Sequence, residues 1–313
     1  MLKNITIKEN NAKQRIDKFL SEEFPEYSRS FWQKMIKDDL VLVKNKKVRS
    51  HYKLEAGDKI KITKKEVKKE AKEKEISLKS DKKIKFKVIF ENNDFLVIDK
   101  PVGVPVHPSE STPSKTLVNG LLAKYPKLKN VGENSARPGI VHRLDKDVSG
   151  VMVVAKNQET FLYLKNQFKE RKVNKEYLAL AHDKVGKDES EINLKIRRSK
   201  RTGLMTISTR EDAREAKTLF WTEKRFKNFT FLKVKILTGR THQIRVHFKS
   251  LGHPIAGDKM YFIKKYQKFK APGLKRMFLH SHKLGFKDKN GDELEFIVEL
   301  PKELKNSLEN LAP

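Results

Sequence analysis

The chain has 313 residues, 37% hydrophobic and 35% charged, with a formal net charge of +30 and no cysteine. That length suits one large domain plus a small one, and a charge of this size calls for a polyanionic partner. The lack of cysteine excludes disulfides, thiol nucleophiles and Cys-ligated metal. It also fits the reducing cytoplasm, the expected location. No apolar run approaches the roughly 18 residues of a membrane span, and residues 1–20 carry no secretory stretch. The basic residues are spread along the chain and not gathered on one amphipathic helix, so nucleic acid is expected and a membrane is not.

In chain order, residues 15–24 have helical apolar spacing. Ser28 can cap a second helix over 31–36, whose apolar residues are Phe31, Trp32, Met35 and Ile36. Val41-Leu42-Val43, a polar turn over 44–47 and Val48 read as a hairpin. Gly57-Asp58 is a turn before a strand over 59–62. With Arg29, Lys34 and Lys37 on its second helix, this block, 12–63, is a small basic module. Residues 64–81 mix Lys and Glu with few apolar positions and read as a charged linker.

The remainder, 82–313, alternates strands and helices. Strands are predicted at 86–90, 95–99, 150–155, 176–181, 218–222 and 229–237, and helices at 116–124, 158–169 and 242–251. Such an order predicts an α+β domain with a mixed, largely antiparallel central sheet flanked by helices. No internal repeat is present.

Three polar clusters stand between apolar runs. His142-Arg143-Leu144-Asp145-Lys146-Asp147 precedes a buried strand, where a loop presents side chains to a ligand. Charged groups placed there cost desolvation unless paired or used. On spacing alone Asp145 is as readily a turn residue as a reactive carboxylate, and Asp147 is better read as structural. Thr241, His242 and Arg245 share a helix face, with Ile244 and Phe248 toward the core. Arginine's planar fork suits a buried aspartate. Tyr177 lies in a strand that can point it into a cavity, although a core tyrosine is the commoner case. The histidines do not fall at metal-ligand spacings, and no metal is expected.

The block 12–63 resembles the S4 RNA-binding domain through Arg15-Ile16-Asp17, Ser28-Arg29, Val41-Leu42-Val43-Lys44-Asn45 and Gly57-Asp58. Lys46-Lys47 stands where that family often places a turn glycine. The larger domain resembles the pseudouridine synthases of large-subunit ribosomal RNA and some tRNAs. The matching runs are 96–108, 142–150, 175–179, 238–247 and 252–258. Val148 replaces a usual threonine, Phe262 a common glycine, and His280-Ser281-His282 a more usual His-Ala pair.

The resemblance implies an isomerase that works without cofactor or metal, as a monomer, on RNA. It implies Asp145 as the catalytic carboxylate, Tyr177 stacked on the target base, and Arg245 paired with Asp145. Arg143 would enter the RNA stack as the base leaves, and His142, Arg240, His242, Arg29 and Lys34 would contact RNA. Two rivals are an S4-like RNA binder that has lost activity, and an RNA hydrolase using Asp145 and Asp147 as an acid–base pair.

Overall fold

The computed structural model describes residues 3–24, 27, 29–63, 78–109 and 112–313. The chain divides into two compact units, Met1–Lys74 and Glu75–Pro313. Ser28, the expected cap, lies outside the described residues, as do positions 64–77 of the expected linker. The end of that segment packs with the second unit: Leu78 lies against its core, and the Lys79 carbonyl accepts from Asn119 Nδ2 at 2.8 Å.

The first unit begins with β1 (Lys3–Thr6), followed by α1 (Ile16–Glu23) and α2 (Arg29–Lys37). Strands β2 (Val41–Val43), β3 (Lys46–Lys47) and β4 (Lys59–Ile62) complete an antiparallel sheet of order β1-β4-β2-β3. Ile16, Phe19 and Leu20 on α1 and Trp32 and Ile36 on α2 recur at helical spacing, and all are buried against Val41, Val43 and Ile60. The hairpin turn is tighter than the expected 44–47. Lys46 and Lys47 already pair with Val43 and Leu42, leaving Lys44 and Asn45 as the turn, both left-handed at φ 50° and 60°. This is the turn geometry that matches strand twist and usually takes glycine. Here the Lys44 N–H donates to the Lys59 carbonyl at 2.8 Å, and its ammonium pairs with Asp58 at 2.8 Å.

The second unit holds β5 (Lys87–Glu91), β6 (Phe95–Lys100), α3 (Leu117–Lys124), β7 (Ser149–Ala155), α4 (Gln158–Lys169), β8 (Asn174–His182) and β9 (Glu189–Asn193). It continues with β10 (Ile196–Arg198), β11 (Met205–Ile207), β12 (Lys217–Arg225), β13 (Phe229–Ile236), α5 (Gln243–Ser250), β14 (Leu279–Lys287), β15 (Glu293–Ile297) and α6 (Lys302–Glu309). Its nine-stranded sheet runs β5-β6-β7-β14-β8-β13-β12-β9, with β15 also on β14. Only β7 and β14 run parallel; every other pair is antiparallel. The fold is α+β with a mixed, largely antiparallel sheet, as the element order predicts.

β14 joins the two halves of this sheet, yet Leu279-His280-Ser281-His282 does not read as a central strand. Its polar groups are satisfied internally. His280 bonds Ser149 Oγ at 2.8 Å and the Val298 carbonyl at 3.0 Å, and Ser281 Oγ donates to the Val151 carbonyl at 3.2 Å. Where β7 meets β14, Gly150 sits at φ +118°, and a Cβ there would stand 2.1 Å from the Ser281 carbonyl oxygen. Only glycine allows that approach, and it places the 140–148 loop at the sheet's central seam. Among the described residues no helix is long and apolar enough to cross a membrane.

Candidate active site

Three segments converge on one cleft, the loop before β7, the middle of β8 and the turn into α5, and the loop after α5 holds Arg245 from behind. Leu144, Val148, Ile236 and Leu279 give it an apolar lining, and Arg143, Asp145, Tyr177, Arg240, His242 and Arg245 line it as well. Tyr177 faces this cleft from β8, opposite Val234 on β13 and Ser281 on β14, and is 7% exposed. Burial, and then the charge of Asp145, push its phenol above the ordinary tyrosine range. The hydroxyl therefore stays protonated.

The turn into α5 is fixed by one side chain. Gln243 Oε1 accepts from Thr238 Oγ1 and the Arg240 N–H, and its Nε2 donates to the Lys217 carbonyl and Thr218 Oγ1. All its hydrogen-bonding capacity ties the 238–243 turn to β12. His242 at the helix start is left-handed at φ 56° and not in the helix proper, but it still reaches the site with Arg245, as the spacing predicts. Its Nδ1 shares a 2.8 Å hydrogen bond with the Tyr261 hydroxyl, and its Nε2 lies 3.8 Å from Asp145 Oδ2. Burial lowers the His242 pKa despite Asp145, so the ring is neutral near pH 7.

Arg245 is the hub. Its Nη1 donates to Asp145 Oδ2 at 3.1 Å, while Nε and Nη2 grip Asp258 at 2.7 and 2.9 Å. Burial opposes its charge, but the two carboxylates more than restore it and raise its pKa above the arginine norm. Asp258 is itself fixed by the N–H groups of Met260 and Tyr261 at 2.8 and 2.9 Å. Burial works against its charge as well, and Arg245 outweighs that and lowers its pKa. The Tyr261 ring lies 4.9 Å from the guanidinium carbon. Arg245 is thus locked by a bidentate pair, and one remaining donor is aimed at Asp145. Among the described residues nothing bonds Asp145 Oδ1, which leaves it available for chemistry.

Asp258 and Lys100 support this cluster, and neither is assigned a role from the sequence alone. Asp258 stands in the motif 252–258, and the signal was there: a lone acid after a turn glycine amid apolar residues needs a cation. Lys100 is fully buried, and its ammonium donates to the carbonyls of Pro101, Val104 and Lys146 at 2.7, 2.8 and 3.2 Å. It therefore fixes the backbone directly after Asp145. Burial, and then Arg276, lower its pKa to about 7.

The other predicted residues divide. Arg143 is exposed at the cleft, and Arg240 lines it with Nε donating to the Glu215 carbonyl at 2.8 Å. Neither forms an ion pair among the described residues. His142, expected to contact RNA, is placed otherwise. Its Nε2 accepts from the Val153 N–H at 3.0 Å and its ring stacks on Phe168 at 4.5 Å. Burial, and then Lys175, lower its pKa to about 3, so it is a neutral packing residue that does not line the cleft. The Asp147 carboxylate is exposed and forms no hydrogen bond or close ion pair among the described residues.

In the first unit, Arg29, expected to contact RNA, is paired with a buried carboxylate. Asp17, fully buried in its side chain, receives Arg15 at 3.0 and 2.9 Å, Arg29 at 3.1 and 3.0 Å, and Gln33 at 2.7 Å. Burial disfavours the Asp17 charge, but these hydrogen bonds outweigh it and bring its pKa to about 2. The result is two half-exposed guanidiniums held side by side. Lys34 is exposed and unpaired among the described residues.

The family model described as RNA pseudouridylate synthase matches residues 94–250, the span that holds β6 to β9, β12, β13, the 140–148 loop and α5. The chain belongs to the RNA pseudouridylate synthase family. Residues 14–60 match the S4 domain. An uncharacterised RNA pseudouridine synthase of Bacillus subtilis is 36% identical over 98% of this chain and 97% of its own. The ribosomal large subunit pseudouridine synthase D of Yersinia pestis is 35% identical over 82% of this chain and 75% of its own. Among solved structures, human RNA pseudouridylate synthase domain containing 1 superposes with a TM-score of 0.57 at 27% identity, covering 70% of this chain and 84% of that one. As a member of this family the protein is an isomerase that acts on RNA.

Proposed function

We propose that this synthase converts specific uridines of large-subunit ribosomal RNA to pseudouridine, with Asp145 as the catalytic carboxylate. The observation that carries the proposal is the arrangement around Arg245. A rigid cation holds one oxygen of Asp145 on an apolar cleft wall beside Tyr177. Relatives named as large-subunit synthases D and C support the choice of RNA.

The reaction breaks the N1–C1′ bond of uridine, turns the uracil, and forms a C5–C1′ bond; the C5 proton is lost and the freed N1 takes one up. Atoms and electrons balance within the substrate, so no redox cofactor or energy source is needed. An oriented carboxylate can attack C1′ or C6, or remove a ribose proton. A base inside a helix is out of reach and must be flipped out. Tyr177, protonated and flat, would stack on it, and exposed Arg143 would fill the gap it leaves. Arg240 and His242 line the same cleft and would meet the flipped nucleotide's sugar and phosphate. Arg29, fixed beside Arg15, and Lys34 would add phosphate contacts in the S4 domain. The protein would act as a cytoplasmic monomer.

The hydrolase reading loses its acid–base pair, because the carboxylate coupled to Asp145 is Asp258 through Arg245, and Asp147 stands exposed. Incubation with a large-subunit rRNA transcript, followed by carbodiimide mapping, tests the proposal. New pseudouridine at discrete uridines supports it, and strand cleavage or unmodified RNA contradicts it.

A further inference from the structure

Beside the active cleft, residues 254–276 and His182 enclose a second concavity of about 560 Å³, within the size range of small-molecule sites. It adjoins the catalytic cluster through Asp258, whose carboxylate is wholly engaged by Arg245, Met260 and Tyr261. Gly257, at φ +75°, lets the chain turn there; a Cβ would stand 2.2 Å from the Arg276 carbonyl oxygen.

The floor is apolar, with Phe269 and Leu274 packed onto the core below. Lys259, Lys270 and Lys275 also line it, and none has a carboxylate partner among the described residues. Asp258 is the only acidic side chain in the lining, and it is neutralised. Phe262 completes the wall. It is 45% exposed and meets no other ring among the described residues. Phe262 thus offers the concavity a flat aromatic face on which a planar group can stack.

We propose that this concavity binds a second, unstacked nucleotide of the substrate RNA, its base on Phe262 and its phosphates on Lys259, Lys270 and Lys275. The warrant is charge and shape together. A flat apolar face beside three unpaired cations fits an anion that carries an aromatic ring, and bases stack on aromatic side chains whatever their sequence. The site would make recognition depend on a single-stranded neighbour of the target uridine, and so help to set which uridines are modified. This inference rests on the proposed RNA isomerisation.

The test uses the full chain and a large-subunit rRNA transcript that the wild type modifies. Phe262→Gly and Phe262→Trp are compared with the wild type, as is the double variant Lys270→Ala/Lys275→Ala. Loss of the stacking face should raise KM about tenfold with kcat unchanged, and tryptophan should restore it. The lysine pair should lower the salt slope of log affinity by about 1.4, the value for two single-strand phosphates. In 5-iodouridine-substituted transcript, photocrosslinks should appear at residue 262 in the wild type. Unchanged KM in Phe262→Gly, with no crosslink there, would overturn the inference while the wild type's pseudouridine left the activity standing. A wild type that forms no pseudouridine would instead remove the reading beneath it.

Discussion

Asp258 grips Arg245 by two hydrogen bonds of 2.7 and 2.9 Å, and both side chains are buried. This pair decides where the third donor of Arg245 points. The resemblance implied that Arg245 meets Asp145; the structure adds what aims it. Replacing Asp258 with Asn leaves a buried guanidinium with one carboxylate in place of two. Breaking a buried pair costs about 3 kcal/mol, so thermal stability should fall. The kcat should fall by ten- to a hundredfold with RNA affinity little changed, as read by single-turnover kinetics and filter binding. Arg245→Lys should behave alike, since an ammonium cannot serve both carboxylates as the fork does.

Lys100→Met removes the cation bonded to the carbonyls of Pro101, Val104 and Lys146. The Lys146 carbonyl keeps the Gly103 N–H at 2.9 Å, but those of Pro101 and Val104 lose their donor, and a shielded acceptor left unpaired costs about 1–3 kcal/mol. The variant should melt several degrees lower and turn over about tenfold more slowly at saturating RNA, because the backbone after Asp145 loses its anchor. A variant as stable and as fast as the wild type would show that Lys100 does not position the loop.

Acid should destabilise the catalytic domain before it protonates the carboxylates. Burial lowers the pKa of His142 to about 3 and of His107 and His280 to about 4. The unfolded state binds these protons near the ordinary value of about 6.5, while the folded state stays neutral. Between pH 6.5 and 4 the unfolded chain therefore holds more protons, and stability falls as pH falls. Each histidine contributes up to about 1.4 kcal/mol per pH unit. Denaturant midpoints measured across this window should drop steadily, and His142→Gln should flatten the curve. A pH-independent midpoint would contradict the buried, neutral assignment.

The S4 domain has a core of its own, so its removal need not disturb the second unit. Deleting residues 1–63 should weaken RNA binding and relax site selection while some activity remains. Asp17→Asn should reproduce part of that loss in the intact chain, because Arg15 and Arg29 would no longer be held together. Equal affinity and site selection in the truncated protein would count against an RNA role for this domain.

The sequence makes some of this legible and hides the rest for physical reasons. α1, α2, α3, α4, α5 and β5 to β8 announce themselves by apolar period. β14 does not, because a central strand carrying His280 and Ser281 is stabilised by hydrogen bonds from distant β7 and by the Val298 carbonyl. The tight turn at Lys44 and Asn45 is hidden too, since its support comes from Asp58 across the sheet. Asp145, Tyr177 and Arg245 are recognisable from motif company, and the structure gathers them in one cleft. The link from Asp145 through Arg245 to Asp258 could not be read from spacing, as the ion pair is a tertiary contact. His142 shows the opposite case: a motif neighbour of Asp145 whose side chain turns inward to Val153 and Phe168.

The central claim is that one oxygen of Asp145, held by Arg245, performs the isomerisation. Asp145→Asn keeps the size of the side chain and an acceptor for Arg245 but removes the charge and the nucleophile. Carbodiimide mapping of a large-subunit rRNA transcript after incubation with each protein is the direct measurement. The account predicts pseudouridine with the wild type and none with Asp145→Asn, which should still bind the transcript with comparable affinity. Pseudouridine formed equally by both would contradict it.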